Sequence, residues 1–160
     1  MKKCVFVFLL ILIMTISFSK ANVDTMTSAS GNAYYAEGSY SYNEMKELLE
    51  SYPYPFSVTV ATTNKDGSPN ISTVIPGISK DGKYFVFGLA NNRTRENFLE
   101  RELAMVSLYE YNPTAVEKIN RNRGCRIVLK YVGDKENNKL NKKYETKSLY
   151  MEIIKLLPLG

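Results

Sequence analysis

Two arginines flank a threonine in the run Ala90-Asn91-Asn92-Arg93-Thr94-Arg95-Glu96-Asn97. Thr94 reads as a helix N-cap, with Asn97 near the third helical position. A helix start carries free backbone N–H groups and a partial positive charge, so it favours anions. Guanidinium groups on either side add charge and paired donors that match phosphate oxygens. This loop is the candidate for holding a phosphate. The competing reading is a solvated helix start whose arginines pair with Glu96, Glu100 or Glu102.

Other chemistry is narrowed by what the chain lacks. It has no histidine, which removes a histidine base, a histidine-bound metal and a histidine-ligated haem. Its two cysteines are Cys4 and Cys125. Cys4 lies in a leader-like segment, and Cys125 reads as a small core residue on a strand. That leaves too few ligands for a zinc site. No side chain reads as a dedicated catalytic acid or base. Tyr109, Glu110 and Tyr111 read as barrel and interface residues.

The phosphate loop must be positioned by the stretch before it. Apolar, β-branched and aromatic runs over 56–63, 69–78 and 83–89 are separated by Asp66-Gly67 and Asp81-Gly82. Asp-Gly between such runs signals a hairpin, because the favoured turns need φ > 0, which glycine tolerates. Pro76-Gly77 inside the second run predicts a bulge or bend. Gly88 ends the third run, where backbone can approach a ligand closely. Upstream, Ser41 and Glu44 form an S-x-x-E capping box for a helix over 41–51. Met45, Leu48 and Leu49 give that helix one apolar face. Downstream come a strand over 103–111, a helical turn within 114–120 and a strand over 124–132. Residues 133–147 are polar, either loop or short exposed helix. The last run, 148–160, shows no clean alternation and is ambiguous between helix and strand.

Residues 1–21 carry Lys2 and Lys3 ahead of an apolar run from Val5 to Ile16, then Ser19-Lys20-Ala21. This is the pattern of a cleaved signal peptide, and the run is short of the ~20 residues of a comfortable membrane span. An uncleaved membrane anchor is the alternative. Residues 22–40 read as a flexible polar tether and 41–160 as one domain. The expected location is secreted or periplasmic, with no membrane contact after cleavage. Lys2, Lys3 and Lys20 carry three of the net +5 charges, so the remaining chain is close to balance and not a nucleic-acid binder.

The order of these pieces resembles the pyridoxamine 5′-phosphate oxidase-like family, the FMN-binding split β-barrels. The resemblance covers about 41–160. It rests on ATTNKDGSPNISTV (61–74), YFVFGLANNRTRENF (84–98), AMVSLYEY (104–111), GCRIVLKYV (124–132) and the terminal LPLG (157–160). It implies a mainly β, α+β fold: a six-stranded Greek-key barrel, with the last run as its final strand, that forms a homodimer and binds FMN between subunits. The cofactor residues it implies are Ser72, Thr73 and Val74 on the second strand and Gly88 and Leu89 at the end of the third. Arg93, Thr94 and Arg95 grip the phosphate. Many relatives carry lysine where this chain has Thr94. Pyridoxamine phosphate oxidases themselves have a basic residue near the Ser72 position and a C-terminal histidine. Oxidation of vitamin B6 is therefore not expected. The resulting reading is an exported FMN-dependent oxidoreductase acting on a small molecule. The alternatives are a non-catalytic module holding a flavin or other phosphorylated molecule and, more remotely, a barrel that binds oligonucleotide or glycan.

Overall fold

The computed structural model describes residues 38–51, 53 and 57–159. The leader and most of the tether lie outside the described residues. The elements are α1 (Tyr42–Glu50), β1 (Ser57–Thr63), β2 (Pro69–Val74), β3 (Gly77–Ile78), β4 (Tyr84–Phe87), α2 (Arg93–Arg101), β5 (Leu103–Tyr111), a 3₁₀ turn (Lys118–Arg121), β6 (Asn122–Tyr131), α3 (Asp134–Tyr144) and β7 (Leu149–Pro158).

The seven strands form one antiparallel sheet in the order β2-β1-β5-β6-β7-β4-β3. Six were expected. The strand expected over 69–78 divides at Ile75-Pro76, where proline cannot donate to a ladder. Its halves become the two ends of the sheet. Because only Ile75 and Pro76 separate them, the sheet must curl until its edges approach. The Asp66-Gly67 turn joins β1 to β2 and the Asp81-Gly82 turn joins β3 to β4, with Gly67 and Gly82 at φ +85° and +73°.

The core fills the inside of the curl. Val58 and Val60 alternate inward from β1, Val106 and Leu108 from β5, and Ile127 and Leu129 from β6. Phe85 and Phe87 come from β4, and Phe98 of α2 packs edge-on to Phe87 at 5.0 Å between ring centres. Helix α1 buries Met45 and Leu49. Its capping box forms as expected: Ser41 Oγ accepts from the Glu44 N–H, and Glu44 Oε2 accepts from the Ser41 N–H at 2.8 Å. The last run is a strand. No helix among the described residues is long and apolar enough to cross a membrane.

Part of the stretch read as tether lies on this sheet. Ser39 bridges Gly124 of β6 in parallel, and Tyr40 is buried. The Tyr40 hydroxyl donates to Glu110 at 2.8 Å, while Arg123 stacks over its ring and pairs with Glu44 at 2.8 Å.

Burial pushes the Cys125 thiol up to about 12, with the Glu44 charge a smaller contribution. Burial likewise lifts the Tyr131 hydroxyl to about 12, reinforced by its hydrogen bond to Asp134. Both groups hold their protons more tightly folded than unfolded. Their contribution is complete below the unfolded pKa, 9.0 for the thiol, and is lost as pH rises toward 12. Each unit of that window costs about 1.4 kcal/mol per group. Urea midpoints are expected to hold steady from pH 7 to 9 and fall by pH 11. Cys125→Ala should shallow the fall, and an unchanged slope would show that the thiol is not the group titrating.

Candidate functional site

The start of α2 is fixed by a neutral polar network. Asn92, not Thr94, is the N-cap: its side chain accepts from the Arg95 N–H at 3.0 Å. Thr94 sits in the first turn, buried, where Asn70 donates to its Oγ1 at 3.0 Å and Ser72 Oγ lies 2.9 Å away. Asn97, 2% exposed, donates to Thr62 and Asn64, both at 2.9 Å. Asn70 also donates to Thr62 at 3.0 Å. Among the described residues no buried side-chain polar atom lacks a partner, as the cost of burying an unpaired group requires. The network ties the first turn of α2 to the β1–β2 hairpin.

This fixes where the predicted residues point. On β2, Ser72 and Val74 face inward, Ser72 into the network and Val74 against the core, while Thr73 is exposed. Arg93 and Arg95 diverge, because residues two apart on a helix do not share a face. Arg93 pairs with Glu96 at 2.8 Å and borders a cavity of about 330 Å³ with Asn64, Lys65 and Asp66. The pairing alternative therefore holds for Arg93. Arg95 turns the other way, into a cleft of about 340 Å³ walled by Leu89, Asn138, Lys147 and Leu149. Neither the Arg95 guanidinium nor the Lys147 ammonium makes a hydrogen bond or ion pair among the described residues.

A second cleft, of about 400 Å³, adjoins the first and shares Thr146 with it. Gly77, Ile78 and Val86 line it beside Tyr144 and Tyr150, whose rings stack at 5.9 Å and 23°. Lys80, Lys143 and Glu145 also border it. The clefts are neighbours along two elements: adjacent Val86 and Phe87 of β4 line one each, and the end of α3 with the turn after it lines both. A cationic cleft and an aromatic one thus lie side by side. Gly88 sits between Val86 and Leu89, and a Cβ there would meet nothing within 4 Å.

The structure brings together Leu89 and Arg95, with Gly88 beside them, but leaves Ser72, Thr73, Val74, Arg93 and Thr94 outside this pair of clefts. The walls that sequence reasoning missed come from α3 and the turn after it. Their residues are polar and without periodicity, so no pattern marked them.

A curled antiparallel sheet with these helices is the fold of the pyridoxamine 5′-phosphate oxidase-like split barrels. Among solved structures, an FMN-binding protein from Syntrophomonas wolfei matches with a TM-score of 0.51 at 13% identity, covering 92% of this chain and 97% of that one. A variant of HupZ from Group A Streptococcus matches with a TM-score of 0.50 at 19% identity, covering 72% and 97%. At these identities the likeness is one of fold. No protein-family model and no curated protein matches the chain.

Proposed function

We propose that the chain binds FMN in the paired clefts and acts as an exported flavin-dependent oxidoreductase on a small molecule. The observation that carries this reading is the adjacency of the two clefts, one bordered by Arg95 and Lys147 and the other by Tyr144 and Tyr150. A flavin mononucleotide has that form, with an anionic end and a flat ring. Arg95 would hold the phosphate, with Leu89 and the backbone at Gly88 along the ribityl chain. Val86, Tyr144 and Tyr150 would border the ring. Bound there, the flavin supplies hydride or electron transfer. The protein's own groups position it and limit water. Counting β2 and β3 as one strand bent at Pro76 supports the six-stranded Greek-key barrel of the resemblance.

A homodimer belongs to the same reading. Ile71 and Leu103 are 70% and 55% exposed, and the register places them on the outer face with Ala61 and Met105. Tyr109 and Tyr111 continue that face along β5 and are also exposed. Sedimentation equilibrium of residues 22–160 is expected to give twice the chain mass, and a monomer at micromolar concentration would remove the dimer.

The direct test is the visible spectrum of the protein mixed with FMN and desalted. Flavin bands should survive desalting, and Arg95→Ala should weaken binding by ~10–100-fold, the worth of a charge-assisted hydrogen bond. Arg93→Ala, its guanidinium already paired, should change it little. A colourless product would reject the flavin. Bleaching of bound flavin by reduced nicotinamide or another reductant tests the redox step. A second reading, a module that binds without turnover, is favoured by the lining, whose one carboxylate is Glu145 and which has no thiol. Retained flavin that no reductant bleaches would select it.

A further inference from the structure

The turn between α3 and β7, Thr146-Lys147-Ser148, is held more firmly than a three-residue surface turn needs to be. Asn137 and Asn141 lie one helical turn apart on the same face of α3. Asn141 Oδ1 accepts from the Ser148 N–H and from the Thr146 hydroxyl, both at 2.8 Å. Asn141 Nδ2 donates to the Ser148 carbonyl at 3.0 Å, and Asn137 Nδ2 donates to the same oxygen at 3.1 Å. Asn137 Oδ1 accepts from the Tyr150 N–H at 2.8 Å. Two amides thus do for this turn what a neighbouring strand would do. The backbone after Lys147 is bonded through both its N–H and its carbonyl, and the residue before it through its hydroxyl.

Lys147 is the exposed, charged residue of this turn, and its side chain takes no part in the clamp. It lines the same cleft as Arg95. Two cations facing one cavity repel each other. Neither charged group has a hydrogen bond or ion pair among the described residues to offset this. An anion between them would turn that repulsion into binding.

We infer that the α3–β7 turn is the second jaw of the anion cleft: Lys147 is a phosphate-binding residue together with Arg95, and Asn137 and Asn141 are the positioning residues that aim it. This rests on the flavin reading for the identity of the ligand, while the jaw itself requires only a phosphate group. The amide clamp restricts Lys147 before the ligand arrives, so less freedom is lost on binding.

The test compares FMN with riboflavin, which lacks the phosphate, and titrates inorganic phosphate in parallel. For the unaltered protein FMN should bind at least ~30-fold more tightly than riboflavin, as for an anion held by two cations. Lys147→Ala should cut that preference about tenfold and leave riboflavin affinity within about threefold. Asn141→Ala should cut it similarly. The double variant should be no worse than Lys147→Ala, because Asn141 acts through Lys147. If Asn141→Ala melts early, Asn141→Gln keeps the amide but displaces it by one methylene and should give the same loss. A preference untouched by Lys147→Ala, or additive losses in the double variant, would overturn the jaw. If flavins fail to bind but phosphate binds and is weakened by both substitutions, the flavin reading falls and the jaw stands. If phosphate does not bind either, both fall.

Discussion

Gly88→Leu is expected to raise the FMN dissociation constant by about 100-fold or more while leaving the melting temperature nearly unchanged. The two halves of the expectation have separate causes. Gly88 lies outside the positive-φ region, and a Cβ built on it meets no atom within 4 Å. A side chain there strains nothing in the folded protein. In the chain Gly88 stands between Val86, which lines the aromatic cleft, and Leu89, which lines the cationic one. On the proposed flavin reading the ribityl chain takes the path past Gly88. A leucine occupying that path removes about 2.7 kcal/mol of binding for each 100-fold. Riboflavin should be lost along with FMN, since both carry the ribityl chain, which distinguishes a blocked path from a lost phosphate contact. Fluorescence titration of both ligands, with a thermal melt of the apoprotein, reads all three quantities. Full flavin affinity in a folded Gly88→Leu protein would mean that the ligand does not run along β4.

The opposite behaviour is expected of Gly124→Ala: about 3 kcal/mol or more of stability lost, with any ligand effect secondary. A Cβ at Gly124 would lie 2.2 Å from the Leu108 carbonyl oxygen and 3.2 Å from the carbonyl carbon. The obstructing atoms are backbone, so no rotamer change relieves them. Gly124 pairs with Tyr109 of β5, while its N–H donates to Gly38 at 3.1 Å and its carbonyl accepts from Tyr40 at 2.8 Å. Making room means separating β5 from β6 at a point where a third segment is also bonded. Overpacking in a well-filled interior costs ~1–3 kcal/mol when side chains can yield and more when they cannot. Urea unfolding measures it, with Gly88→Ala as the glycine control expected to change little. A midpoint equal to the unaltered protein's would mean that β5 and β6 are not packed this closely at Gly124.

Much of the fold was legible because its signals are local. The capping box of Ser41 and Glu44 needs only residues three apart. The Asp-Gly turns sit at the links that need positive φ, and Pro76 marks the break between β2 and β3. The illegible parts depend on distant partners. The register of β7 against β6 shifts between Val128 and Leu129, pairing them with Lys155 and Ile153 and leaving Ile154 between. Ile154 is 51% exposed, and the extra residue resets the alternation. That is why 148–160 reads as neither helix nor strand.

The candidate site was half legible. Leu89 and Arg95, which border the cleft at the start of α2, stand in a stretch whose arginines and helix start are visible in the sequence. That Arg93 and Arg95 would part was readable from helix geometry, since residues two apart are rotated by roughly 200°. The assignment of the cap to Thr94 hid this, by placing Arg93 before the helix and not in it. Asn92 takes the cap because Thr94 is drawn inward by Asn70 and Ser72, contacts made across the fold. The contribution of α3 had no sequence signature, because an asparagine that bonds another segment's backbone looks like an asparagine facing water.

The short stretch Gly38–Tyr40 decides where a load on the molecule falls. It is stitched to Gly124, and the Ser39 hydroxyl accepts from the Leu159 N–H at 2.9 Å. The residues preceding Gly38 therefore join the domain beside the C-terminal end of β7, whereas the paired clefts lie at its beginning, around Leu149 and Tyr150. The ten residues of β7 place roughly 30 Å between them at ~3.3 Å per residue. A load applied at Gly38 would fall first on β6, a strand with neighbours on both sides, at the end of β7 away from the clefts. A tether attached there would leave the mouth for a small molecule clear.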